Sequence, residues 1–110
     1  MSDSDIMIAT KEFAETIQKS DTYQDYYFQR EKIKRQPDLY DKVNEYRRKN
    51  FELQNTADSD ALFDRMEAFE KEYEKFRENP LVDDFLRAEL AFCRMMQDIN
   101  ELLTTEIDFE

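Results

Sequence analysis

Residues 79–109 have the sequence NPLVDDFLRAELAFCRMMQDINELLTTEIDF, and this stretch decides the fold. Asn79-Pro80 predicts a helix start, since Pro suits the first helical position, where its missing N–H costs nothing. One apolar stripe of this helix contains Val82, Phe85, Phe92, Met96, Ile99 and Leu103. A second, rotated stripe contains Leu86, Leu90, Cys93 and Met96. An apolar arc this wide must be covered on two sides of the helix.

The chain has few other helices to supply that cover, so we expect a second copy of the chain to supply it. The sequence therefore predicts a homodimer whose partner face lies on the C-terminal helix. The predicted face consists of Val82, Phe85, Leu86, Leu90, Phe92, Met96 and Leu103.

Composition predicts an all-α fold. The 110 residues include no Gly and only two Pro, whereas tight β-hairpin turns favour Gly because they need positive φ. Hydrophobic residues make up 40% of the chain and charged residues 39%, a balance typical of amphipathic helices. We expect residues 1–110 to form a single domain, an antiparallel array or bundle of about four to five helices with a long C-terminal helix.

Apolar periodicity and helix-breaking residues predict five helices. Their approximate ranges are 5–19, 22–35, 37–54, 60–78 and 80–105. The Ser20-Asp21-Thr22 cluster and Pro37 mark two of the breaks. The polar stretch 55–60 is predicted to be a linker, with Asp58 or Ser59 as the next helix cap. In the fourth helix, apolar residues recur at spacings of 4, 3, 4 and 3, which is a heptad seam over two repeats: Leu62, Met66, Phe69, Tyr73 and Phe76.

Residues suited to catalysis are scarce in this sequence. There is no His, which removes the commonest general base and every Ser-His, Cys-His or Glu-x-x-His motif. The spacing of Glu67, Glu70 and Glu74 resembles a carboxylate metal site, but Lys71 and Lys75 favour salt bridges along the helix instead. We expect a protein that is not an enzyme and has no catalytic residue, no cofactor and no metal.

Cys93 is the only cysteine, which excludes an intramolecular disulfide. We expect it to pack as a small hydrophobic residue beside Phe92 and Met96. The alternative is a thiolate that ligates an iron–sulfur cluster or acts as a redox switch. A lone thiol suits a reducing compartment, MSDSDIMIATKEF lacks the features of a signal peptide, and no apolar run is long enough to span a bilayer. We therefore expect a cytoplasmic protein with no membrane contact.

Charge is unevenly distributed along the chain, whose formal net charge is −11. Residues 58–110 contain 16 acidic and 6 basic residues, a balance of −10, and should repel nucleic acid. Residues 22–57 contain 6 acidic and 8 basic residues, a balance of +2. The predicted basic patch consists of Arg30, Lys32, Lys34, Arg35, Arg47 and Arg48. A solvated helix face is the favoured interpretation, and contact with phosphate or an acidic protein is the alternative.

Aromatic residues precede the first half of that basic patch. Tyr23, Tyr26, Tyr27 and Phe28 adjoin the cations, and aromatic rings beside cations are a feature of single-stranded RNA sites. Packing of these rings inside a helical bundle, with hydroxyls at its rim, is the favoured interpretation.

The C-terminal sequence resembles that of the YheA branch of the YlbF/YmcA family of Firmicutes. The most specific segment consists of Asn79, Pro80, Leu81, Val82, Phe85, Ala88, Glu89 and Leu90. The upstream segments LYDKVNEYRRKNFELQ and LFDRMEAFEKEYEKFRENP are also similar, so the resemblance covers roughly residues 5–109.

The resemblance implies an all-helical fold that dimerises through long helices. It also implies a regulatory role, because YlbF and YmcA act in a complex that modulates competence, biofilm formation and RNase Y-dependent RNA processing. That complex is associated with iron–sulfur clusters that are bound by several cysteines. This chain departs from that pattern, because Cys93 is its only cysteine. We expect a regulatory protein with protein partners; an accessory factor that contacts RNA or a ribonuclease complex through the basic 30–49 region is the alternative.

Overall fold

A computed structural model describes residues 2–56 and 59–108 of the chain. Those residues form six α-helices and no strand. The helices are α1 (Asp3–Lys19), α2 (Asp21–Lys34), α3 (Pro37–Thr56), α4 (Ser59–Glu72), α5 (Glu74–Glu78) and α6 (Pro80–Ile107). The prediction of an all-helical chain with a long C-terminal helix is confirmed.

Serine side chains define the first two helix starts. The Ser2 hydroxyl accepts a hydrogen bond from the Asp5 N–H at 3.3 Å, and the Asp5 carboxylate accepts one from the Ser2 N–H, which completes a capping box. This helix begins at Asp3, before the predicted start at residue 5, because Ser2 is its cap. The Ser20 hydroxyl accepts from the Tyr23 N–H at 3.1 Å and so caps α2.

Both prolines begin helices, as the sequence predicts. Pro37 is the first residue of α3 and Pro80 the first of α6. The Asn79 side chain caps α6 by accepting a hydrogen bond from the Leu81 N–H at 3.0 Å. Asp108, directly after α6, has a φ of 62° and donates its N–H to the Thr104 carbonyl at 3.2 Å. Because Asp tolerates left-handed geometry better than most residues, a chain without Gly can end its longest helix here.

The predicted fourth helix is interrupted at Tyr73. This residue has φ −105° and ψ 10°, and it separates α4 from α5. The hydrogen-bond ladder nevertheless continues through it, from the Tyr73 N–H to the Phe69 carbonyl and from the Arg77 N–H to the Tyr73 carbonyl. The interruption is therefore a local distortion at a residue whose ring and hydroxyl are both held by neighbours.

The predicted linker at 55–60 is shorter in the structure. Helix α3 continues to Thr56, and α4 begins at Ser59. Residues 57 and 58, which include the predicted cap Asp58, lie outside the described residues.

The chain divides into two compact units. Unit 1 contains the residues up to Gln29 and those from Arg87 onward, and unit 2 contains Arg30–Leu86. Helix α6 thus contributes its first residues to unit 2 and the remainder to unit 1. The single-domain organisation expected for residues 1–110 stays a prediction.

Unit 2 holds the largest buried side chains. They are Ile33, Val43, Tyr73, Phe76, Val82 and Phe85, each at most 8% exposed. Helix α3 runs antiparallel to α4 and α5, because its residues pair in reverse order with theirs. The Lys49 ammonium lies 3.2 Å from Glu72, the Tyr73 hydroxyl 2.8 Å from Glu45, and the Lys42 ammonium 5.5 Å from the centre of the Phe76 ring.

Unit 1 is held together by aromatic contacts but buries little. The Tyr26 and Phe92 rings stack with centroids 5.1 Å apart, and Tyr23 meets Phe92 edge-on at 5.5 Å. These contacts confirm the favoured interpretation of packing within a helical array for Tyr23 and Tyr26, whereas Tyr27 and Phe28 are 45% and 61% exposed. Helix α1 contains no buried residue, and in the described part of this unit only the small side chain of Ala88 is buried, at 4% exposure.

We predict that Phe85→Ala lowers the free energy of unfolding by about 3–5 kcal/mol, because it empties a fully buried aromatic site. Phe63→Ala is a matched control in the same unit, since Phe63 is 75% exposed and Phe85 0%. The control should change the free energy by less than about 0.5 kcal/mol. Urea unfolding followed by circular dichroism measures both, and equal losses would contradict the assignment of the core.

Candidate protein-interaction site

An uncharged cleft of about 490 Å³ lies between α1 and α6 in unit 1. Its lining residues are Thr10, Phe13, Ala14, Ile17, Met96, Gln97, Ile99, Asn100 and Leu103. Spacings of three and four residues along each helix put these side chains on one face of α1 and one face of α6. Six of the nine are apolar, and the other three carry hydroxyl or amide groups. The cleft is therefore suited to an apolar partner.

Helix α1 exposes large apolar side chains beyond the cleft as well. Ile6, Met7 and Ile8 are 51%, 65% and 58% exposed, and Phe13, at the cleft itself, is 41% exposed. Scattered apolar residues are normal on a protein surface, but several on one helix make α1 a candidate interaction surface.

The residues of the predicted partner face fall into three groups. Val82 and Phe85 are 0% exposed in the core of unit 2, so the chain itself already covers them. Leu86 and Phe92 are half-buried. Leu90, Met96 and Leu103 are exposed. Of the seven residues of the predicted partner face, three are therefore exposed. All three lie in the part of α6 that belongs to unit 1.

The six residues of the predicted basic patch all lie in unit 2, but several already have partners. Glu31 lies 3.7 Å from the Arg30 guanidinium and 4.0 Å from the Lys34 ammonium. The Arg47 guanidinium lies 5.1 Å from the centre of the Phe85 ring and donates to the Asn44 side chain at 3.2 Å. The exposed members are Lys32, Lys34, Arg35 and Arg48.

The expectation that Cys93 packs as a buried hydrophobic residue is wrong. Its thiol is exposed. The physical reason is that Cys93 follows Leu86 and Leu90 on the second apolar stripe, and none of the residues that the structure describes covers that stripe at Leu90, which is 51% exposed. In residues 2–56 and 59–108, no group of three or more Asp, Glu or Cys side chains is placed to hold a metal.

No helix in the described part of the chain has the length and hydropathy required to cross a bilayer.

A polar network borders the core of unit 2 around Tyr73. The Tyr73 hydroxyl donates to Glu45 at 2.8 Å. The Lys49 ammonium lies 3.1 Å from the Glu45 carboxylate and 3.2 Å from that of Glu72, and 5.6 Å from the centre of the Tyr73 ring. The network joins α3 to the distorted residue between α4 and α5.

Each member of the network shifts the pKa of its neighbours. The hydrogen bond from Tyr73 and the charge of Lys49 lower the pKa of Glu45. Hydrogen bonding with Glu45, followed by Tyr73 and Glu72, raises the pKa of Lys49. Burial, and then donation to the Glu45 carboxylate, raises the pKa of Tyr73. The folded state thus favours the ionised carboxylate and the neutral phenol.

Two features escaped the sequence reasoning. The α1 residues Phe13 and Ile17 line the cleft but are not part of the predicted partner face, although their i, i+4 spacing puts both on one side of the helix. The bond from Tyr73 to Glu45 was also missed. A phenol inside an otherwise apolar heptad seam is a usable signal, because a buried hydroxyl needs an acceptor.

We predict that Glu45 stabilises the fold at neutral pH and that this contribution disappears in acid. Since the folded pKa lies below the unfolded one, the contribution is present above the unfolded pKa and is lost as the pH falls through the folded pKa. The gap in free energy of unfolding between wild type and Glu45→Gln should therefore shrink between about pH 6 and pH 3.5.

Urea unfolding at several pH values measures this gap. Glu67→Gln, at an exposed position of the same unit, controls for the loss of one negative charge. A gap for Glu45→Gln that stays constant or widens on acidification contradicts the assigned network.

Two relatives of known sequence resemble this chain over most of its length. A UPF0342 protein of Desulfitobacterium hafniense is 25% identical over 95 residues, which cover 84% of this chain and 77% of the relative. A UPF0342 protein of Caldicellulosiruptor bescii is 21% identical over 101 residues, which cover 90% of this chain and 85% of the relative. No protein of solved structure gives a significant match.

A family model gives broader support, because its match begins in α1 and ends directly after α6. The model is described as control of competence regulator ComK, YlbF/YmcA, and it matches residues 6–108. The chain therefore belongs to the YlbF/YmcA family.

Proposed function

We propose that this protein is a non-enzymatic regulatory protein that acts through protein contacts as a helical homodimer. The family description, control of competence regulator ComK, supports regulation as its broad role. The observation that carries the more specific proposal is the uncovered apolar cleft between α1 and α6.

The total accessible surface of the chain is large enough to leave room for an interface of ordinary size. The accessible surface is 8823 Å². Two separate compact bodies that share a mass of 13.4 kDa equally would expose only about 7,800 Å². The excess, about 1,000 Å², is larger than the roughly 800 Å² that each partner contributes to a standard interface.

The charge distribution explains why the contact should form at the cleft. Residues 1–29 and 87–110 contain 12 acidic and 4 basic residues, a balance of −8, so two copies repel each other at long range. The nine cleft residues include no charged side chain. Contact at the cleft thus removes apolar surface from water without burying unpaired charge.

A second copy is a suitable occupant because α1 carries both one wall of the cleft and further exposed apolar side chains near its start. In a two-fold dimer, both copies use the same surface patch, so each copy covers the patch of the other. Ile6, which lies one turn before Thr10 on the cleft side of α1 and is 51% exposed, is then available to cover the cleft of the other copy.

We predict that Leu103→Asp weakens dimerisation at least about tenfold, because it places a charge in the cleft. Leu102→Asp is a matched control on the same helix: Leu102 is 61% exposed and does not line the cleft. Sedimentation velocity over a micromolar concentration series measures the dissociation constants. A wild-type protein that remains monomeric throughout the series rejects the dimer, and equal effects of the two variants reject the cleft as its interface.

The alternative function is contact with RNA or a ribonuclease complex through the basic 30–49 region. Exposure of Lys32, Lys34, Arg35 and Arg48 favours it. Pairing of Glu31 with Arg30 and Lys34 opposes it, as does the net charge of −11, because nucleic-acid affinity depends on phosphate neutralisation.

We predict no saturable binding of single-stranded RNA at low salt, as measured by fluorescence anisotropy. Binding that decreases with salt and is lost in the triple variant Arg30→Gln, Lys34→Gln and Arg35→Gln would replace our proposal with the alternative. The control variant Lys11→Gln, Lys19→Gln and Arg94→Gln changes the net charge equally but leaves the basic region intact.

A further inference from the structure

A second cavity, of about 340 Å³, lies wholly within unit 2. One wall is the face of α4 and α5 that carries residues 69, 70, 73, 74, 77 and 78, which recur at i, i+1 and i+4 spacings. Tyr46 of α3 and Asp83 of α6 also line the cavity. The volume is within the range of small-ligand pockets.

Three aromatic side chains line this cavity. The Tyr46 and Phe69 rings stack with centroids 5.1 Å apart, and the Phe69 and Tyr73 ring centroids are 5.0 Å apart. Aromatic faces carry partial negative charge and attract cations at distances up to about 6 Å.

The chain itself shows that this aromatic cluster accepts cations. The Arg77 guanidinium donates to the Tyr46 hydroxyl at 3.0 Å and lies 5.7 Å from the centre of its ring. The Lys49 ammonium lies 5.6 Å from the centre of the Tyr73 ring. Two of the three rings therefore already contact a cation of the chain itself, Tyr46 a guanidinium and Tyr73 an ammonium. An external cation would make the same kind of contact with the third ring, Phe69.

Carboxylates complete the lining. Glu70, Glu74 and Glu78 are exposed at the cavity and Asp83 is half-buried there, whereas Arg77 is the one cation among the lining residues. The lining thus has a formal charge of −3, and its carboxylates can accept hydrogen bonds from N–H donors while the rings contact the carbon part of the ligand.

We infer that this cavity binds an organic cation, a guanidinium or primary ammonium group carried on an alkyl chain. Aromatic rings select the flat or alkylated face of such a group, and the carboxylates select its charge and N–H donors. A simple metal ion would use only the carboxylates. The two sources of this chemistry are an Arg or Lys side chain of a protein and a free polyamine.

The inference is tested by NMR titration of the full-length protein at constant ionic strength. The probes are ethylguanidinium, spermidine and a short acetylated, amidated Arg-containing peptide, with sodium as the reference cation. We expect saturable shifts of the backbone signals of Phe69, Glu70 and Arg77 with ethylguanidinium. A lower dissociation constant for the peptide or for spermidine identifies the source that the site prefers.

Two variants assign the binding to the cavity. Phe69→Leu keeps an apolar side chain but removes the π face, and Glu74→Gln with Glu78→Gln removes two charges; each should weaken ethylguanidinium binding about fivefold. The matched control, Glu101→Gln with Glu106→Gln, removes two exposed charges from α6 in unit 1. The control should bind as wild type does.

Shifts spread over all acidic surfaces, or equal weakening in the control, overturn the inference in favour of general attraction by a chain of net charge −11. The inference is independent of the proposed dimer, because its residues all lie in unit 2 and the dimer is assayed by sedimentation.

Discussion

The apolar stripe of α6 extends along a helix about 42 Å long. The rest of the structure depends on which part of this stripe is buried by the chain itself and which part is left exposed. In unit 2, Val82 and Phe85 are completely buried. Toward the C-terminus of the helix, Met96 is 38% exposed and Leu103 47% exposed. The first part of the helix therefore stabilises the chain's own fold, whereas the later part leaves large apolar side chains exposed.

The core of unit 2 relies on aromatic side chains whose edges and hydroxyls reach polar groups. Tyr73 is 2% exposed, yet its hydroxyl donates to Glu45, and Lys49 links that carboxylate to α4 through Glu72. A phenol buried without an acceptor would be costly, so this network permits an aromatic side chain at the centre of the helix contacts. The neighbouring rings of Tyr46 and Phe69 line the cavity of unit 2 together with exposed carboxylates.

Much of the fold was predictable from local rules. Pro37 and Pro80 begin helices and Ser20 interrupts one. Of the predicted heptad seam, Tyr73 and Phe76 are buried, whereas Met66 is 41% exposed. Periodicity does not reveal which part of a stripe the chain itself covers, because that depends on tertiary contacts between distant segments. For this reason the sequence assigned Val82 and Leu103 to one face, although only the first is buried, and it placed Cys93 in a core that does not enclose it.

Electrostatics distinguish the ligands that each surface can accept. The cleft residues are uncharged within a unit of net charge −8, so the cleft favours apolar contact with little electrostatic attraction. The cavity in unit 2 combines carboxylates with aromatic rings and repels phosphate at short range. Because repulsion of anions extends over much of the chain, exposed cations such as Arg35 and Arg48 attract phosphate only locally. These charge distributions are unfavourable to nucleic acid, and the uncharged cleft is the surface on which apolar contact removes most area from water at the least electrostatic cost.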